Sequence, residues 1–173
     1  MNRKRDGDFE AYVNARGRAL ERYAYALTTD AHRAQDLVQT VLLRAYRRWD
    51  HMTVLDHPDA YLRRMVTNSY LDWRRRRRNS EVPTDEVPEP DGNQDLAIGG
   101  VDRDEMHRAL QTLSPHQRAV LVLRYLEGQD DDSIASALGC TLGTVRSHAA
   151  RGRDRVRAYL TDSAATATLP KES

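Results

Sequence analysis

Apolar positions recur through the first 80 residues with helical, not strand-like, spacing. Phe9, Tyr12, Val13, Ala19, Leu20, Tyr23 and Leu27 follow one another at mixed three- and four-residue steps and stop at the polar Thr28-Thr29-Asp30, which predicts a first helix. Leu37, Val38, Val41, Leu42, Ala45, Tyr46 and Trp49 then form a broad stripe of period about 3.6, with Asp36, Gln39, Thr40, Arg44, Arg47 and Arg48 on the opposite face. A loop is expected over residues 50–57, after which Pro58 suits a first helical turn. Tyr61, Leu62, Met65, Val66, Ser69 and Trp73 are expected to line one face of a third helix. No stretch alternates with period two for long enough to form a sheet, so the expected class is all-α.

The second half of the chain is punctuated by helix signals. Ser114-Pro115-His116-Gln117 places an N-cap serine, a proline at the first helical position and a glutamine three residues on, the pattern of a capping box. Ala119, Val120, Val122, Leu123 and Leu126 continue that helix, and Gly128 ends it. Asp130-Asp131-Asp132 opens another, because carboxylates there accept free N–H groups and oppose the macrodipole. It carries Ile134, Ala135, Ala137 and Leu138 and stops at Gly139, where Thr141 caps a last helix with Leu142, Val145, Ala149, Val156 and Leu160. A short helix, a glycine turn and a longer helix make a helix-turn-helix over about residues 131–160.

Between the halves, residues 80–100 collect Pro83, Pro88, Pro90, Gly92, Gly99 and Gly100 among acidic and small polar residues, the composition of a flexible acidic linker. The expected organisation is a helical domain over residues 8–79, that linker, a second helical domain over 101–160 and a Thr/Ala-rich tail, 161–173, that frays. Charge sharpens this division. The 173 residues carry 27 basic and 26 acidic side chains, a formal net charge of +1 that argues against a nucleic-acid binder only as an average. Residues 1–80 hold 17 basic against 10 acidic side chains and residues 106–160 hold 8 against 5, whereas residues 81–105 hold 1 against 9. Two basic blocks flank one acidic strip.

Few chemistries fit this inventory. A single cysteine, Cys140, rules out an intramolecular disulfide or a thiolate zinc cluster within one chain, and it reads as a small packed apolar residue. The six histidines lack paired metal spacing, and neither a phosphate-binding glycine loop nor a nucleophile elbow is present. No metal, cofactor or catalytic role is expected. No apolar run approaches the roughly 18 residues of a membrane span, so a soluble, cytoplasmic chain without a membrane partner is expected. What remains is basic. The last helix offers Arg146, Ser147, His148, Ala150, Arg151, Arg153 and Arg155 on exposed positions, residue types that read base edges or hold phosphates. The Trp73-Arg74-Arg75-Arg76-Arg77-Arg78 run reads in two ways: as a solvated helix end complementing the macrodipole, or, with Tyr61, Asn68, Tyr70 and Trp73 beside it, as a strip for single-stranded nucleic acid.

Three motifs occur in order: Asp36-Leu37-Val38-Gln39 with Leu43-Arg44-Ala45-Tyr46; Tyr61-Leu62-Arg63-Arg64-Met65-Val66-Thr67-Asn68; and Leu113-Ser114-Pro115-His116-Gln117-Arg118-Ala119-Val120-Leu121 leading to Leu138-Gly139-Cys140-Thr141-Leu142-Gly143-Thr144-Val145-Arg146-Ser147. Together they resemble the extracytoplasmic-function (ECF) sigma factors of bacteria, the smallest members of the sigma-70 family. The resemblance implies a sigma-2 three-helix bundle and a sigma-4 helix-turn-helix domain, carried by a non-catalytic subunit of RNA polymerase that recognises promoter DNA and promotes its melting. It further implies that Asp36, Gln39, Arg44 and Arg47 bind the clamp coiled coil of the largest polymerase subunit, with the flap of the second largest as a second contact. Thr40 stands where a glutamate is usual. For the minus-10 element it implies that the loop over residues 51–57, His51 and Met52 included, captures an unstacked base of the non-template strand together with Asn68, and that Arg63, Arg64, Arg74 and Arg75 hold phosphates around it. For the minus-35 element it implies Thr144, Arg146, Ser147, Ala150, Arg151 and Arg153. His148, Ala149, Ala150 and Gly152 depart from the bulkier or more basic residues usual there, which implies fewer base-edge contacts and more reliance on DNA shape. Many relatives are held inactive by an anti-sigma factor, a further candidate partner. The acidic strip is expected to act as a nucleic-acid mimic in a basic channel.

Two other classes fit parts of the chain. A transcriptional regulator with a response-regulator type helix-turn-helix would share Val145-Arg146-Ser147-His148 but would act without core polymerase; a helical interaction module would lack a DNA role altogether.

Overall fold

In the computed structural model the chain divides into two compact units, Met1–Gln94 and Asp95–Ser173. Residues 3–80 and 102–167 are described; the acidic strip expected as a linker and the last six residues of the tail lie outside them. Among the described residues all regular structure is helical, and no helix is long and apolar enough to cross a membrane.

The first unit packs α1 (Arg3–Thr28), α2 (Ala31–Arg47) and α4 (Pro58–Asn79) against one another. Leu20, Tyr23, Ala24 and Leu27 of α1, Val38, Val41 and Ala45 of α2, and Leu62, Val66 and Tyr70 of α4 fill its core. Each such aliphatic side chain removed from water contributes roughly 1.5–3 kcal/mol. The turn between α1 and α2 is set locally. Thr29 takes the left-handed conformation at φ 55°, and the Asp30 carboxylate accepts the Arg33 N–H at 2.9 Å as the N-cap of α2. Within that core the buried Tyr23 hydroxyl of α1 and Thr67 Oγ1 of α4 share a 2.5 Å hydrogen bond.

Two features of this unit depart from the sequence pattern. The expected loop at 50–57 begins with a further turn of helix, α3 (Trp49–Met52). The reason is tertiary: Trp49 and Met52 are both buried, and the rings of Phe9, edge-on, and Tyr12, tilted, pack against the Trp49 ring with centres 5.1 Å away. On α4 Leu62 and Val66 of the expected face are buried, but the buried face continues through Thr67 and Tyr70, whereas Met65, Ser69 and Trp73 are half-buried and Tyr61 is exposed. Contact with α1 through Tyr23 and Thr67 rotates the helix inward about those positions.

In the second unit α5 (Arg103–Gln111), which the apolar pattern did not single out, precedes α6 (Pro115–Leu121). Arg118 of α6 is buried and donates from Nε to the Leu110 carbonyl at 2.9 Å, so a cation covers the free carbonyls at the C-terminus of α5. The capping box is present: Ser114 Oγ accepts the Gln117 N–H, and Gln117 Oε1 accepts the Ser114 N–H. The apolar run to Leu126 is not one α-helix. From Val122 to Leu126 it widens into a π turn, closed by the Glu127 N–H on the Val122 carbonyl at 3.2 Å, and Gly128 at φ 63° follows. Then come α7 (Asp131–Leu138), N-capped by Asp130 and ended by Gly139 at φ 63°, and α8 (Leu142–Ala167), capped by Thr141. The α8 helix packs on α5, α6 and α7. It also runs on to Ala167 where fraying was expected from residue 161, with the Thr161 and Thr166 hydroxyls donating back to the carbonyls of Arg157 and Asp162 at 2.9 Å.

Candidate nucleic-acid interface

The outward face of α2 is polar except at its centre. Asp36, Gln39, Arg44 and Arg47 are all exposed, as the pattern predicts, and Leu43 stands among them at 67% exposure. Leu43 belongs to neither the core stripe nor the polar set, and a large apolar side chain bare in a polar face is the signal that could have marked it. Beside this face a cavity of about 340 Å³ opens between α2 and α4, lined by Arg33, Asp36, Leu37, Thr40, Arg44, Ser69, Asp72, Trp73 and Arg76 among others. Arg44 reaches across it to Ser69 Oγ at 3.4 Å.

The residues expected at a minus-10 site do not form one patch. At 100° per residue, Tyr61, Arg64, Asn68 and Arg75 share the outer stripe of α4, and all four are exposed. Arg63 and Arg74 share a different side of the helix and are half-buried. Met52 is excluded as a surface contact: it is 2% exposed and forms part of the core under α3. His51 beside it is exposed, and the apolar groups that the loop does present are Val54, 79% exposed, and Leu55. Both lie in the 51–57 loop that the resemblance points to, but neither stands out there by sequence, since nothing local distinguishes an exposed valine from a buried methionine. Nor do the aromatics line the arginine run as a stacking track. Tyr70 is fully buried, and Trp73 is half-buried with Arg33, Arg74 and Arg77 guanidinium groups 4.9, 5.7 and 5.8 Å from its ring centre. Arg75 is paired with Asp72 at 3.1 Å.

On α8 the core face is Val145, Ala149 and Gly152, all buried. Ala149 and Gly152 therefore do not stand where they could contact a base, and their small size answers to packing: a Cβ on Gly152 would lie 3.0 Å from Leu121 Cδ1. The opposite face presents Ser147, Ala150 and Arg151, flanked by Arg146 and Arg153 on the side of α7 and by His148 and Arg155 on the other. Thr144 is half-buried at the helix start, where its N–H and hydroxyl both engage Thr141 Oγ1. Arg146 Nε lies 3.4 Å from Asp131 Oδ2, Arg124 pairs with the other oxygen of that carboxylate, and Arg153 donates to the Tyr125 hydroxyl at 3.3 Å, which holds that phenol below its usual pKa. His148 stacks on His116 of α6 with ring centres 5.6 Å apart. In the turn Cys140 is half-buried, and burial pushes its thiol up. Among the described residues no group of three or more His, Cys, Asp or Glu could hold a metal ion.

The chain therefore pairs a helical unit bearing one exposed face and one loop of bare apolar groups with a helix-turn-helix whose outer face is basic. Residues 12–80 match the family model for sigma-70 region 2, and residues 103–156 match that for sigma-70 region 4. The RNA polymerase sigma-E factor of Streptomyces avermitilis is 41% identical over 153 residues, covering 88% of this chain and 85% of that protein. The sigma-E factor of Streptomyces coelicolor is equally identical over the same length, covering 88% and 86%. Among solved structures, the sigma factor RpoE of Bartonella quintana, crystallised with the anti-sigma factor NepR, superposes with a TM-score of 0.70 at 26% identity, over 89% of this chain and 97% of that one.

Proposed function

The chain belongs to the sigma-70 family as an extracytoplasmic-function RNA polymerase sigma factor, and on that premise we propose how its two units divide the work of initiation. The first unit binds core RNA polymerase and the minus-10 element; the second binds the minus-35 element. The exposed face of α2, with Asp36, Gln39, Arg44 and Arg47 around Leu43, docks on the clamp coiled coil of the largest subunit. An apolar centre ringed by charges is the anatomy of a protein interface. The second unit also contacts the flap of the second largest subunit.

At the minus-10 element the 51–57 loop and Asn68 take up an unstacked base of the non-template strand. Val54 and Leu55 supply apolar surface for it, Asn68 supplies a donor and an acceptor for a base edge, and His51, Arg64 and Arg75 hold phosphates around it. Extraction of a base costs a few kcal/mol, recovered by contacts in the pocket without any bond being made or broken. At the minus-35 element Arg146, Ser147, Ala150 and Arg151 face the major groove, with Arg153 on their flank. The Bartonella quintana complex supports an anti-sigma factor as a further partner.

The observation that carries the reading is that region 2 and region 4 both match, in order, on the two units. A response-regulator type helix-turn-helix protein would match only in the second unit. The test is reconstitution: the purified chain is added to bacterial core RNA polymerase on a library of promoters randomised at both elements. Initiation confined to a defined pair of minus-35 and minus-10 sequences, and dependent on the added chain, is the expected result. Duplex binding by the chain alone with no promoter-specific initiation would overturn it.

A further inference from the structure

The geometry points to Asp131, the first residue of α7, as a positioning residue that presets Arg146 for reading a base and withholds it from phosphate. This rests on the minus-35 role proposed for α8. Asp131 joins three elements. One carboxylate oxygen pairs with Arg124 of the π turn, and the other lies 3.4 Å from Nε of Arg146 on α8. Arg124 and Asp131 are mostly covered, at 20% and 26% side-chain exposure, whereas Arg146 is 69% exposed. The inner pair is thus an anchor, and Arg146 is the free-standing arm.

The π turn supplies the anchor. An extra residue in one helical turn rotates everything beyond it by about 100°, and the turn closes from Glu127 N–H to the Val122 carbonyl with Arg124 inside it. Arg124 so placed reaches the carboxylate at the start of α7, while Tyr125, next along the same turn, reaches Arg153 of α8.

Stability does not explain the outer contact, since an ion pair this exposed gains little over its solvated partners. Readout does. An arginine free in water loses rotamer entropy when fixed. Holding it by Nε spends that beforehand and leaves the two Nη groups for the paired acceptors of a guanine edge. The same carboxylate opposes a phosphate at that position, because it cancels the arginine's charge and repels the anion. Asp131 therefore trades non-specific affinity for base selectivity at one step of the minus-35 element.

The experiment uses the full chain assembled with bacterial core RNA polymerase on promoters with a fixed minus-10 element and a randomised minus-35 element. Asp131→Asn should lower base preference roughly five- to tenfold at one or two adjacent minus-35 positions, leave the other positions unchanged, and make binding to unrelated duplex tighter and more salt-dependent. Asp131→Glu should restore part of the preference. Because Asp131→Asn also weakens the Arg124 pair, Arg146→Lys supplies an independent arm: it keeps the charge but not the fork. Adding Asp131→Asn to Arg146→Lys should change the preference no further. An unaltered preference profile in Asp131→Asn, an equal loss on every minus-35 sequence, or full additivity with Arg146→Lys would overturn the inference. A wild-type holoenzyme indifferent to the minus-35 sequence would sink the proposed role of α8 itself, and this inference with it.

Discussion

Gly152 of α8 lies against Leu121 of α6 so closely that a Cβ at position 152 would meet Leu121 Cδ1 at 3.0 Å and Cγ at 3.2 Å. A glycine inside a long helix costs about 0.5–1 kcal/mol relative to alanine, so Gly152→Ala would stabilise α8 in isolation. In the folded unit Leu121 is buried, and its Cγ, unlike its methyl ends, has little room to yield. Overpacking costs about 1–3 kcal/mol and exceeds the propensity gain. Gly152→Ala should therefore lower the unfolding free energy of the second unit by about 1 kcal/mol, read by denaturant titration. Combined with Leu121→Ala, which removes the obstructing atoms, it should cost less than the sum of the two single changes. Additive costs would show that the close approach is not what keeps a glycine there.

The stacked pair His148 and His116 gives the same helix contact a pH dependence. Burial, the facing His116 and Arg151 on its own helix all hold the His148 pKa below its ordinary value, and its Nδ1 is buried without a partner. The unfolded chain, titrating near about 6.5, takes up the proton before the folded one does. This contribution to stability is complete above that pH and is lost as pH falls through the folded-state value. His148→Gln, which cannot titrate, should show a smaller drop in Tm between about pH 7.5 and about pH 5.5 than the wild-type chain. An equal drop in both would assign the acid sensitivity to carboxylates elsewhere.

Where the sequence was legible, the information was local. Asp30, Ser114, Asp130 and Gly139 announce helix ends because a side-chain oxygen meeting a free N–H, or a left-handed φ, involves only residues within a few positions. The core stripe of α2 was readable for a similar reason: one helix face against one core needs only a period. The π turn was not readable, since the apolar spacing from Ala119 to Leu126 suits an unbroken helix and the widening is decided by Arg124 and Tyr125 reaching other elements. Met52 and Val54 show the same limit at the site. Both are apolar residues of one short connection, and only the aromatic cluster around Trp49 decides that the first turns inward while the second stands bare. Gly152 was visible as an oddity, but its cause lies 31 positions away on another helix.

The bare Leu43 leads to a prediction about assembly. At 67% exposure it contributes little to the fold, so Leu43→Glu should leave the Tm of the free chain nearly unchanged. As the centre of a docking face it would be covered by the clamp, and placing a carboxylate there should weaken holoenzyme formation at least about tenfold, roughly 1.4 kcal/mol or more. Titration of labelled chain into core polymerase reads the change. Unaltered affinity would move the polymerase contact off this face of α2.

Asn68 and Arg75 share one stripe of α4 and should fail in different ways. Asn68 is exposed among the arginines with an uncharged amide that can distinguish base edges, whereas Arg75 carries a charge already shared with Asp72. Asn68→Ala should cost about 1–3 kcal/mol at a single minus-10 position and leave the salt dependence of promoter binding as it was. Arg75→Ala should weaken binding to every minus-10 sequence alike and reduce the slope of log affinity against log salt by about one. Asp72→Ala, which releases Arg75 from its pair, should act in the opposite direction on overall affinity. Competition binding of the holoenzyme on a minus-10 library at two salt concentrations separates these outcomes. A base-specific loss from Arg75→Ala, or a uniform one from Asn68→Ala, would exchange their roles.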